Sequence, residues 1–71
     1  MITDELLQAE RLCDEHQVFT FPLGEYSEMI RVKYIGTVTT WKESRLLFES
    51  EDRLQFYLSV EDFIQLFKTH F

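Results

Sequence analysis

The closing segment of this chain limits what the rest can fold into. Ser59-Val-Glu-Asp62 matches a helix-capping box in its Asp form, with Ser59 as N-cap and Asp62 reaching back to the Ser59 amide. Leu58 before the cap and Phe63 after it supply a hydrophobic staple. Val60, Phe63, Ile64, Phe67 and Phe71 then recur at helical spacing as one narrow apolar stripe. Isolated helices shorter than about 12–15 residues are marginal in water, so this one needs a surface on which to bury its phenyl rings. The segments before it read as strands, so the surface is a sheet.

Four β-like stretches precede it. Val18 to Leu23 alternates, with Phe19, Phe21 and Leu23 on one side. Pro22 has no amide to give a ladder, so this strand lies at an edge or stops there. Met29 to Ile35 alternates again, placing Ile30, Val32 and Tyr34 inward and Arg31 and Lys33 outward. Gly36 interrupts the run into Thr37–Trp41 and marks a bulge or bend in one long strand. After a turn at Lys42–Ser44, the segments Arg45–Glu49 and Leu54–Leu58 form two more strands around the charged turn Ser50–Arg53. Their alternation sends Leu46, Phe48, Leu54, Phe56 and Leu58 to the core.

The N-terminal segment is helical. Thr3 is a good N-cap, and Asp4 and Glu5 place negative charge at the positive end of the helix dipole. Ile2, Leu6, Ala9 and Cys13 then recur at spacings of 4, 3 and 4, one face of a helix reaching about Gln17. Leu12 lies at the edge of that face and Leu7 nearly opposite it.

The predicted fold class is therefore α+β in the order α-β-β-β-β-α. It comprises a three- to four-stranded antiparallel meander with an N-terminal and a C-terminal helix packed on one face. Residues 1–71 contain no repeat and no Pro/Gly/Ser-rich linker, which predicts a single domain. One sheet face stays open, carrying Arg31, Lys33, Ile35, Leu47 and Tyr57. A chain of 71 residues has a thin core, and seven Phe compensate with large rings.

Chemistry-bearing patterns are sparse. Cys13 and His16 have a C-x-x-H spacing, but His70 is the only other histidine and no second Cys exists, short of the set that zinc requires. Cys13 sits on the apolar helix face, where a thiolate is disfavoured. Ser27, Ser44, Ser50 and Ser59 lack a nucleophile motif, and two glycines with eleven residues between them do not make a phosphate loop. The expectation is a non-enzymatic chain with no catalytic residue, metal or cofactor. One Cys, no basic-then-apolar leader and no apolar run of membrane length predict a soluble cytoplasmic protein.

Charge is the informative feature. Residues 1–28 carry seven acids (Asp4, Glu5, Glu10, Asp14, Glu15, Glu25, Glu28) against Arg11 alone, whereas residues 29–71 carry six acids and six bases. The whole net charge of −6 thus lies in the first helix and the turn after the first strand. Such a field attracts a basic protein surface and repels nucleic acid, although it also serves simple solubility. Leu7, ringed by Asp4, Glu10, Arg11, Asp14 and Glu15, has the form of a contact anchor with a charged rim.

These residues are the expected partner-binding site. The expected function is a small acidic protein-binding module, an inhibitor or adaptor occupying a basic surface on a larger partner. A sharper form is an inhibitor of a nucleic-acid-handling enzyme, as phage anti-defence proteins such as anti-CRISPRs are. Glu10 and Asp14, one turn apart, have about the spacing of successive phosphates. Two alternatives use the open sheet face: an assembly subunit acting as a homodimer or larger homo-oligomer, and a small single-strand nucleic-acid binder in which Arg31, Lys33 and Tyr57 form the platform.

Overall fold

The computed structural model describes residues 3–71, so Ile2, the expected first member of the N-terminal stripe, lies outside the described residues. The elements run α1 (Asp4–His16), β1 (Val18–Phe21), β2 (Ile30–Thr39), β3 (Ser44–Ser50), β4 (Gln55–Ser59) and α2 (Val60–His70). The strands form one antiparallel sheet in the order β1-β2-β3-β4, the predicted meander, with both helices on one face.

Helix α1 starts where its cap dictates: Thr3 Oγ1 accepts the Leu6 amide at 3.1 Å. It stops at Gln17, whose positive φ of 60° turns the chain, with its amide donating to Cys13 O at 2.8 Å. The Gln17 carbonyl then accepts the Tyr34 amide at 2.8 Å, tying the helix exit to β2. At α2, Ser59 Oγ accepts the Asp62 amide at 3.1 Å. The reciprocal bond of a full capping box, from the Ser59 amide to the residue-62 carboxylate, is not made, and Asp62 is one methylene shorter than the usual Glu.

Strand β1 ends before Pro22 and lies at an edge, satisfying both constraints that proline imposes. The predicted interruption near Gly36 is a β-bulge inside one ten-residue strand. Tyr34 pairs with Phe48 and Gly36 with Leu47, leaving Ile35 as the extra residue. The extra residue reverses the side-chain parity beyond it: Thr37 turns toward the helices, opposite buried Leu46, and Val38 turns to the open face, opposite Arg45.

The core is a cluster of aromatic and small residues. Ala9 and Cys13 of α1, Phe19 and Phe21 of β1, Val32 of β2, Leu46 and Phe48 of β3 and Phe63 of α2 are all essentially inaccessible to solvent. Phe63 meets Phe19 edge-to-face at 5.2 Å and stacks on Phe48 at 5.7 Å, the arrangements that ring quadrupoles favour. Small Ala9 and Cys13 leave room for these rings beneath α1.

Two expected core residues behave differently. Leu54 has the parity of the core but is 67% exposed, because it precedes β4 in the turn, where neither helix covers the sheet. Ser50 closes that turn, accepting the Arg53 amide at 2.9 Å and donating its own amide to Leu54 O. Phe71, the last member of the α2 stripe, is 61% exposed and stacks on Phe67 at 4.6 Å and against His16 at 4.4 Å. It covers the end of the core from outside.

Candidate functional site

The fold separates charge by layer. Helices α1 and α2 carry Asp4, Glu5, Glu10, Asp14, Glu15, Glu61 and Asp62 against Arg11 and Lys68. The open sheet face carries Arg31, Lys33 and Arg45 against Glu49. Among the described residues, Arg45–Glu43 is the one ion pair, so the helix acids are not neutralised from within.

On α1, Asp4, Leu7, Arg11, Asp14 and Glu15 are all exposed, and Leu7, at 51%, is the one large apolar side chain of that helix standing in solvent. Glu10 parts from this group. It is half-buried, and its Oε2 accepts from Thr37 Oγ1 at 3.0 Å. Thr37 in turn is hydrogen-bonded to the Tyr34 hydroxyl at 2.6 Å. The bulge makes this chain possible by turning Thr37 to the helix side. Glu10 therefore ties α1 to β2 and does not stand beside Asp14 on the outer surface, which removes the phosphate-like pair from the presented face. Neither the bulge parity nor this bond has a local sequence signal beyond Gly36.

The same packing sets the behaviour of the buried titrating groups. Burial, reinforced by the nearby Asp14 and Glu10 carboxylates, pushes the Cys13 thiol up to about 12. Burial likewise raises Tyr34, partly offset by its hydrogen bond to Thr37. Cys13 is thus a small core residue held as the thiol. His16 packs against Phe19, Phe67 and Phe71 at centroid distances of 6.1, 5.6 and 4.4 Å. Among the described residues, no three His, Cys, Asp or Glu side chains cluster to hold a metal ion. No described helix is long and apolar enough to cross a membrane.

Two further surfaces emerge only in three dimensions. Where helix cover ends, Leu23, Ile30, Leu54 and Phe56 floor a concavity of about 480 Å³, rimmed by Glu25, Glu28 and Asp52. Alternation assigns these apolar residues to the covered side; it does not reveal that the helices stop short of them. Glu28 is partly occupied, its Oε2 accepting the Tyr26 amide at 3.1 Å. On the opposite sheet face, Leu47 lies between Gly36 and Tyr57 in the paired register, with Ile35 and Val38 exposed nearby. Trp41 stands out from the β2–β3 turn, with the Lys42 ammonium 5.1 Å from its ring centre. No protein-family model matches this chain, and neither a curated protein nor a solved structure matches it.

Proposed function

We propose that this chain is a non-enzymatic protein-binding module, an inhibitor or adaptor that docks the outward face of α1 on a basic surface of a larger cytoplasmic partner. The observation that carries this reading is the layered charge: a helix layer with seven acids against Arg11 and Lys68, none of them in an ion pair among the described residues, with half-exposed Leu7 at the centre of Asp4, Arg11, Asp14 and Glu15. Unpaired carboxylates steer the encounter, and the leucine supplies the apolar contact that excludes water. A nucleic-acid-handling enzyme, whose substrate channel is cationic, is the partner class with the best charge match, in the manner of phage anti-defence inhibitors. The face works by occupying such a channel as a charged plug, not by copying phosphate spacing, since Glu10 is turned inward.

The test is capture from source cells with the intact chain and with Leu7→Asp. The expected result is a stoichiometric partner held at low salt, released at high salt and lost with Leu7→Asp, while the thermal melt of the variant stays unchanged. A partner equally well retained by Leu7→Asp and at high salt overturns the assignment of the α1 face.

A further inference from the structure

The open sheet face has a charge order that fits a copy of itself. Along β3, the residues on this face are Arg45, Leu47 and Glu49: a cation, an apolar centre and an anion at successive two-residue steps. Beside them on β2 lie Val38, Gly36 and Lys33, and on β4 Ser59, Tyr57 and Gln55. A two-fold axis across the strands at Leu47 lays one such face on another with strands antiparallel. Leu47 then meets Leu47, Arg45 meets the second copy's Glu49, and Lys33 lays its aliphatic stem over Val38. In the central rows Arg45 and Glu49 each meet an opposite charge, and Lys33 meets an apolar group.

Two local features prepare this contact. Glu43 accepts from Arg45 Nε at 2.6 Å, and Gln55 Nε2 donates to Glu49 Oε2 at 3.1 Å, so both ends of the row are oriented along the sheet. Gly36 leaves a notch next to Leu47: a Cβ built there meets no atom within 4 Å, and its backbone is not left-handed. The notch is open on the face itself, where it lets a second sheet approach to the roughly 10 Å spacing of packed sheets.

We infer that this chain forms a two-fold dimer through the open sheet face, centred on Leu47 and closed by reciprocal Arg45–Glu49 pairs. The dimer points the two acidic helix layers in opposite directions, so it stands independently of whether α1 binds a basic partner. Single-stranded nucleic acid is the poorer occupant, since the face offers one ring, Tyr57, and sets Glu49 among its bases.

Sedimentation equilibrium of the full chain tests this, with Glu49→Arg, Arg45→Glu and Gly36→Gln, all at exposed or open positions. The wild type is expected to dimerise, and each charge reversal to weaken the dimer by about 100-fold, through like charges facing each other twice. An equimolar mixture of Glu49→Arg with Arg45→Glu is expected to recover a heterodimer, because every reversed charge again meets its opposite. Gly36→Gln is expected to give a monomer whose melt matches that of the wild type at concentrations too low for the dimer to form. A wild type that stays monomeric at about 1 mM overturns the inference. So do charge variants that dimerise as well as the wild type, or a wild-type face that takes up oligo(dT) and remains monomeric.

Discussion

The two faces of one sheet differ more than any two elements of this protein. The covered face buries Phe19, Phe21, Val32, Leu46 and Phe48, while the other face, built from the same strands one residue out of phase, carries Arg31, Lys33, Arg45, Glu49 and Tyr57 around half-buried Leu47. Backbone and hydrogen-bond ladders are shared, so the contrast isolates what side-chain burial contributes. Stability resides on the covered side. The open side has little to hold together, and its residues are free to be selected for contact.

The strongest way to break this contrast is Phe48→Ala. Phe48 meets Phe19, Tyr34, Phe56 and Phe63, and its removal is expected to cost about 3–5 kcal/mol. A domain of this size holds only several kcal/mol in total, so urea titration should find the variant largely unfolded. Tyr57→Ala on the open face is expected to stay within about 0.5 kcal/mol of the wild type.

The bulge offers a sharper comparison. Deleting Ile35 leaves Tyr34 on Phe48 and Gly36 on Leu47, so both faces keep their residues and the cooperative melt should survive. Deleting Val32 shifts one arm of β2 by a residue and exchanges its faces, and circular dichroism should show the fold lost. If both deletions melt alike, the bulge does not set the parity.

Alkaline pH probes the covered side chemically. The Cys13 thiol has a folded pKa of about 12, above its ordinary value. Its protonated form is thus favoured by folding: the contribution is complete below about pH 8.5 and is lost as pH rises through the folded pKa. Urea midpoints should fall over this range and fall less in Cys13→Ala. The native thiol should resist alkylating reagents until the chain unfolds. Thr37→Val, which cuts the Tyr34–Thr37–Glu10 chain while keeping shape, has the smallest expected effect on the covered side, about 1 kcal/mol by thermal melt.

Much of this was legible in the residues. Both N-caps, the inward Phe19, Phe21, Leu46, Phe48 and Phe63, the Pro22 stop and the interruption near Gly36 follow from local rules, because capping, φ restriction and side-chain period act over a few residues. The exposure of Leu7 follows from the helical period in the same way. The fate of Glu10 does not. Its position on α1 fits the outer face, and only a partner twenty-seven residues away draws it inward. Leu54 shows the same limit, since alternation assigns a side of the sheet and says nothing of what covers it.

The sequence alone therefore determined the elements, their order, the sides of most side chains and the concentration of negative charge near the N-terminus. The tertiary structure decided which residue forms the bulge, where helix cover ends, and that the acids of both helices share one layer while Arg31, Lys33 and Arg45, with Glu49, share the other. The physical reason is range. Propensity and periodicity are properties of neighbouring residues, whereas burial, cover and facing charge depend on which distant segments the chain brings together.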